Sequence, residues 1–107
     1  MTRDEIFSRL KTLGLPVAYR EFKNPAELPF IAYYIESEEF SGSDYENLII
    51  DRILVIEFYS ITKDDKTEQN IEELFTEFEI SKDEEWIDSE AMLQITYTIH
   101  YKFKKRR

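Results

Sequence analysis

Polar and apolar residues alternate most regularly near the C-terminus of the chain. An alternation with a period of two is typical of a β-strand that buries one face. The pattern predicts a long final strand, with one face in the core and the other in solvent or against a partner. The two alternating sets are Ala91, Leu93, Ile95, Tyr97, Ile99, Tyr101 and Phe103, and Met92, Gln94, Thr96, Thr98, His100, Lys102 and Lys104.

Three extended segments precede this strand. The segment of residues 17–22 is short and lies between prolines, which predicts a strand at the edge of a sheet. Residues 30–35 are apolar at every position, which predicts a central strand covered on both faces. Residues 48–61 form the longest segment, and residues 41–44 before it have the Ser-Gly-Ser-Asp chemistry of a hairpin turn.

A helical periodicity marks two other segments. Thr2 and Glu5 have the spacing of a capping box, Gly14 can end this helix in the left-handed conformation, and Asp65 with Glu68 forms a second cap. The apolar stripes are Ile6, Leu10 and Leu13 in the first helix and Ile71, Leu74, Phe75 and Phe78 in the second. The order α-β-β-β-α-β predicts an α+β fold, in which two helices pack on a largely antiparallel sheet of about four strands.

The charges are unevenly distributed along what we expect to be a single domain, residues 1–107. The chain has 14 basic and 23 acidic residues and a net charge of −9. Without its last six residues the net charge is −14, so the body opposes binding to nucleic acid. We expect the basic C-terminal tail, residues 102–107, to be flexible, either as a solubilising end or as a contact for a partner. Its candidate contact residues are Lys102, Lys104, Lys105, Arg106 and Arg107.

The composition also bears on compartment. The chain has no cysteine, which excludes disulfides and thiol catalysis and favours an intracellular origin. No apolar run has the length of a membrane span, and the first residues do not resemble a signal peptide. We therefore expect no association with a membrane.

Candidate catalytic chemistry is sparse. His100 is the only histidine, and it lies at a polar position with no nucleophile or orienting group at a recognisable spacing. The acidic runs at 64–65 and 83–85 lack the spacing of a metal site, and two glycines cannot form a phosphate-binding loop. We therefore expect no catalysis, no metal, no cofactor and no small-molecule substrate.

The aromatic residues allow two interpretations. Seven Tyr and eight Phe could stack on single-stranded nucleic acid, but this mode of binding needs a positive groove, whereas the neighbouring residues here are acidic. Packing in the core explains most of the Phe residues. The tyrosines on strands suit either a core or a protein–protein interface.

Four segments, read in order, resemble a known family. They are LGLPVAYREF, LPFIAYYIESEEF, IEFYSITKDDKTEQNIEELF and EEWIDSEAMLQITYTIHY, and the resemblance extends from Ile6 to about Tyr101. The family comprises small head–tail connector proteins of long-tailed phages and prophages of Gram-positive bacteria, which include tail-completion proteins, tail terminators and tail-to-head joining proteins. None of the segments is a catalytic motif.

The resemblance implies a virion structural protein of the head–tail neck. Such a protein assembles in the host cytoplasm and then becomes part of the virion. Its partners would be further copies of itself, as a ring that is typically hexameric, and the neighbouring neck and tail-tube proteins. DNA would pass without specific binding, because an acidic wall repels phosphate. We expect a mobile acidic loop that faces the DNA path or the next ring: Glu36, Glu38, Glu39, Asp44 and Glu46.

Two other functions stay open at this point. An acidic protein can mimic DNA and inhibit a basic host protein, but a mimic needs acids spread over one face, and here they cluster in turns and on helix surfaces. A small enzyme is the third possibility, and the absence of a nucleophile–base pair argues against it.

Overall fold

The computed structural model describes residues 1–21, 27–42 and 47–106, with Asn47 and Arg106 described by their backbone only. Within these residues the chain forms two helices, five strands and one short 3₁₀ turn. In chain order they are α1 (Arg3–Lys11), β1 (Val17–Tyr19), β2 (Phe30–Ser41), β3 (Asn47–Ser60), α2 (Asp65–Glu73), β4 (Ile80–Ile87), the 3₁₀ turn (Asp88–Glu90) and β5 (Met92–Arg106). No described helix is long and apolar enough to cross a lipid bilayer.

The five strands form one mixed sheet in the order β1-β2-β3-β5-β4. The α+β class, the two helices and the edge position of β1 are as predicted. The strand number and one strand direction differ, because β1 pairs in parallel with β2 while the other pairs are antiparallel. The apolar pattern of a strand gives its faces but not the direction of its neighbour, so this pairing was not predicted.

The fifth strand, β4, was not predicted because its sequence is highly charged. All residues from Ser81 to Trp86 are exposed, so the segment lacks the alternation that indicates a strand. β4 pairs with β5 on one side only and lies at the sheet edge. Charged side chains at an edge strand hinder pairing with other chains, which explains why a strand can have this composition.

Both helices pack on the same face of the sheet. Ile6 and Leu10 of α1, Ile71 of α2 and Phe75 are all at most 1% exposed. They meet the inward positions of the strands, which include Tyr33, Leu54, Ile56, Phe58, Ile95, Tyr97 and Ile99. Phe75 follows the end of α2, so the predicted second stripe of Ile71, Leu74, Phe75 and Phe78 is helical only at Ile71. The alternation predicted for the final strand is confirmed from Met92 to Phe103, but Ala91 is exposed and ends the 3₁₀ turn before β5, so its assignment to the buried face was wrong.

The prediction that residues 30–35 form a central strand is confirmed, and Ala32 as well as Tyr33 is buried, but the described helices cover only one face of the strand. Both described helices lie on the side of Tyr33, so the side of Ala32 carries no helix. On that open side Ala32 and Val55 are buried by neighbouring side chains, and Phe30 stacks on Tyr59 with ring centres 4.9 Å apart. Short-range packing along the sheet surface therefore accounts for the apolar residues on this side.

Local contacts define the helix ends. The Thr2 hydroxyl accepts a hydrogen bond from the Glu5 backbone N–H, as the capping box predicts, and Gly14 adopts a positive φ of 77°. The cap of α2 is one residue earlier than predicted, because Asp64 accepts from the Thr67 N–H.

Candidate functional site

A three-stranded arm is the main feature outside the helix-covered core. We define the arm as residues 36–41 of β2, 47–53 of β3 and 100–106 of β5, which are paired side by side. The molecule measures 50 × 28 × 25 Å, and the long strands account for this elongation. Most residues of the predicted acidic loop and of the predicted basic tail belong to this arm.

A β-bulge at the base of the arm changes which residues of β2 face the helices. The pairing runs from Ile35 with Leu54 to Ser37 with Ile53, so Glu36 is an extra residue. Before the bulge, odd-numbered residues point toward the helix side. After it, Glu38 and Phe40 do so, because a bulge shifts the alternation by one position.

The predicted acidic loop is largely a strand. Glu36, Glu38 and Glu39 lie in β2, which continues to Ser41, so the expectation that they form a mobile loop is wrong. The cause is hydrogen bonding to β3, whose register continues to the pair Ser41 and Ile49. Asp44 and Glu46 lie outside the described residues.

The predicted basic tail also continues the sheet. β5 extends to Arg106, and Lys102, Lys104, Lys105 and Arg106 face Asp51, Ile49, Leu48 and Asn47 of β3 in the register. Residues 102–106 therefore form a strand rather than a tail outside the sheet, and their flexibility stays a prediction. Arg107 lies outside the described residues.

The acidic and the basic residues belong to the same arm, but they lie at its two opposite edges. In the arm β3 is central, β2 lies on one side and β5 on the other. Glu39 and Lys102 both pair with Asp51, so their backbones are two strand spacings apart, which is about 10 Å. The arm thus has an acidic edge, formed by residues 36–41, and a basic edge, formed by residues 100–106.

Arg52 is buried at the base of the arm and was not among the predicted site residues. Only 8% of the residue is exposed, and its guanidinium donates to the Met1 carbonyl and the Tyr101 hydroxyl at 3.0 Å each. It also pairs with Glu38 at 3.4 Å and lies over the Phe103 ring, 4.7 Å from its centre. Its Nε has no hydrogen-bond partner among the described residues. Arg52 lies at the same alternate positions of β3 as Leu54 and Ile56, which are buried. This spacing is the sequence signal that could have identified Arg52 as a buried residue.

A groove follows the helix side of the arm. It has a volume of about 660 Å³, and an apolar floor of Phe40, Ile50 and Phe103. Residues 1–3 form one wall. The charged residues that line the groove are Glu38 and the basic Arg3, Arg52, Lys104 and Lys105. Phe40 is 61% exposed, so the floor is open to solvent at the acidic edge.

The opposite face of the arm carries the only histidine. His100 is exposed, as predicted, and its Nε2 contacts a carboxylate oxygen of Asp51. Lys102 lies 3.9 Å from the other oxygen of Asp51. Lys102 and His100 thus both contact Asp51 across adjacent strands, and no nucleophilic side chain forms part of these contacts.

A second charged cluster lies away from the arm, between α2 and β4. Glu68 is 1% exposed, and its Oε1 is 2.8 Å from the Nζ atoms of both Lys63 and Lys82. Burial favours a higher pKa for Glu68, but the hydrogen bonds from the two lysines outweigh it and lower the pKa below its ordinary value. Glu68 and Glu84 in turn raise the pKa of Lys63. The cluster fastens β4 to α2.

Burial also perturbs groups on the open sheet face. Desolvation raises the pKa of Glu57, whose carboxylate accepts from the Gln94 amide at 2.7 Å. The pKa of Tyr59 is raised by burial and by Glu57. Within residues 1–21, 27–42 and 47–106, no group of three or more His, Asp or Glu side chains could hold a metal ion.

No family model matches the chain, and no curated protein matches it. Its fold is similar to that of a chain in the virion of a native gene transfer agent particle, with a TM-score of 0.62, 10% sequence identity and coverage of 94% of this chain and 92% of that chain. A second solved structure, which has no functional name, matches with a TM-score of 0.54, 17% identity and coverage of 100% and 96%. These likenesses concern the fold.

Proposed function

We propose that the protein is a structural component of a phage-like virion, a ring-forming tail-completion or tail-to-head joining protein of the neck. The observation that carries the proposal is the fold shared, over nearly the full length of both chains, with a component of a gene transfer agent virion. The four segments that resemble phage neck proteins support the same role. The proposal includes no catalytic step.

The charge of the chain supports a place beside the DNA path. A net charge of −9 opposes adsorption of phosphate, which suits a channel through which DNA must move without sticking. In this role the ring contacts neck and tail-tube proteins, and it contacts DNA only transiently.

The elongated arm supports assembly with other subunits. A monomer gains little from three long strands that extend past its helices, because their edges lack strand partners among the described residues. Open edges and the exposed Phe40 are features that neighbouring subunits commonly cover.

Binding to tail tubes tests the proposed function. We expect the purified protein to bind one end of isolated tail tubes from the phage or prophage that encodes it, seen as a terminal ring by electron microscopy and as a mass increase by light scattering. Absence of tube binding, together with tight binding to a basic nuclease or repressor, would replace the proposal by that of a DNA mimic.

DNA retention tests the role of the acidic residues. Neutralising Glu36, Glu38, Glu39, Asp44 and Glu46 to their amides should increase the amount of DNA retained per ring at low salt, measured on assembled rings separated by size, if these residues face the channel. The matched control neutralises five exposed acids away from the arm: Glu73, Glu79, Asp83, Glu85 and Glu90. Equal retention by both variants would remove the acids of the arm from the DNA path.

A further inference from the structure

The two edges of the arm carry opposite charges, and we propose that the acidic edge of one copy pairs with the basic edge of the next copy in a head-to-tail ring. The partner is a second copy of this chain, and the contact is strand addition. This inference rests on the proposed function, because it identifies the contact that would build the ring.

Both edges are open among the described residues. β1 pairs with β2 only over Ile31–Tyr33, so the outer side of residues 36–41 has no described strand partner. β4 pairs with β5 only as far as Ile99, so the outer side of residues 100–106 also has none. Each edge offers unpaired backbone donors and acceptors over about six residues, which is enough for a typical strand.

The distribution of charge distinguishes these edges from the β4 edge of the sheet. The β4 edge carries both signs, with Lys82 followed by Asp83, Glu84 and Glu85. The arm instead has Glu36, Glu38 and Glu39 on one edge and Lys102, Lys104 and Lys105 on the other. Two like edges would repel, whereas an acidic edge and a basic edge attract, so the charges favour a head-to-tail contact over a two-fold dimer.

Strand direction is compatible with closure of a ring. β2 and β5 are both antiparallel to β3, so they run in the same direction. A rotation about an axis along the strands preserves this direction, and β5 of one copy then meets β2 of the next in a parallel pair. Six copies would give a barrel of about 18 strands, a size at which barrels enclose an open channel.

Phe40 provides an apolar anchor for the contact. It is 61% exposed and lies on the helix side of the acidic edge. Phe103 lies on the same side at the basic edge, where it is half-buried and stacks on Tyr101. Pairing of the edges would bring Phe40 of one copy toward Phe103 of the next copy, and aromatic residues of this kind commonly dominate interface energies.

A charge-exchange experiment tests the contact. One variant carries Glu36→Lys and Glu39→Lys, so that both its edges are basic, and the other carries Lys102→Glu, Lys104→Glu and Lys105→Glu, so that both are acidic. We expect each variant alone to form rings with a yield more than about tenfold below that of the wild type. An equimolar mixture should recover the rings, with the two variants alternating. Native mass spectrometry would show equal numbers of each variant in a ring. Circular dichroism checks that both variants fold.

Cysteine cross-linking provides a second readout in a chain without native cysteine. In the double variant Glu39→Cys and Lys102→Cys, the two positions are about 10 Å apart within one copy, which exceeds the span of a disulfide. Oxidation should therefore link different copies into a ladder that ends at the ring size. The control pairs Glu39→Cys with Asp83→Cys on the β4 edge and should give no ladder.

The outcomes separate this inference from the proposed function. Wild-type rings on tail tubes that are unaffected by charge exchange, with no cysteine ladder, would overturn the edge contact alone. Rings built by the edges but unable to bind tail tubes would support the contact and overturn the neck role. A wild type that stays monomeric both in solution and on tail tubes would overturn both.

Discussion

The buried carboxylate of Glu68 gives the most direct test of how the fold is held together. The change Glu68→Gln keeps the size of the side chain and removes its charge. Lys63 and Lys82, each 2.8 Å from Oε1, would then face a neutral amide and each other. We expect the variant to be less stable at pH 7, because two ammonium groups lose their common counter-ion.

The size of the loss follows from burial. Removing one partner of a fully buried ion pair costs about 3–5 kcal/mol. The lysine side chains are 42% and 38% exposed, so water replaces part of the lost interaction. This reduces the expected loss to about 2 kcal/mol. With a urea m-value of about 1.5 kcal/mol/M, the unfolding midpoint should fall by about 1.3 M.

Urea unfolding followed by circular dichroism measures this change, with Glu84→Gln as the matched control. Glu84 also binds Lys63, at 2.6 Å, but its side chain is 51% exposed, so its loss should cost at most about 0.5 kcal/mol. Equal losses for the two variants, or a loss below about 0.5 kcal/mol for Glu68→Gln, would refute the reasoning. Because the folded-state pKa of Glu68 is lowered, the stabilisation is present at neutral pH and disappears as the pH falls through that value, below 4.5.

Three further predictions follow from single features. Arg52→Met should lower the free energy of unfolding by about 2 kcal/mol. The loss should be smaller in a Tyr101→Phe background, because the hydrogen bond between Arg52 and Tyr101 is already absent there. Additive losses in urea unfolding would contradict this coupling between Arg52 and Tyr101. Glu57→Gln should raise the melting temperature at pH 7, because the raised folded-state pKa of Glu57 means that its charged form is disfavoured in the fold. This advantage over the wild type should shrink as the pH falls. A variant less stable than the wild type at pH 7 would refute the prediction. Gly14→Ala should cost about 1 kcal/mol through its positive φ alone, since a Cβ there would meet no atom within 4 Å, and a larger loss in chemical denaturation would indicate a packing role.

The sequence by itself determined the elements whose burial is periodic. The alternation around Ile95 and Ile99 and the spacing of Ile6 and Leu10 follow directly from burying one face of a strand or helix, so the α+β class and the core could be predicted. The cap at Thr2 and the left-handed Gly14 are similarly local.

Only the tertiary structure decided what depends on pairing between distant segments. The charged strand β4 exists because β5 supplies its hydrogen bonds, and Glu38 lies in a strand because β3 continues beside it. The opposition of an acidic and a basic edge across the arm arises from strand order, which no local pattern encodes. Hydrophobic periodicity reports only which face of an element is buried, whereas register and neighbours are decided by hydrogen bonds between residues far apart in the chain.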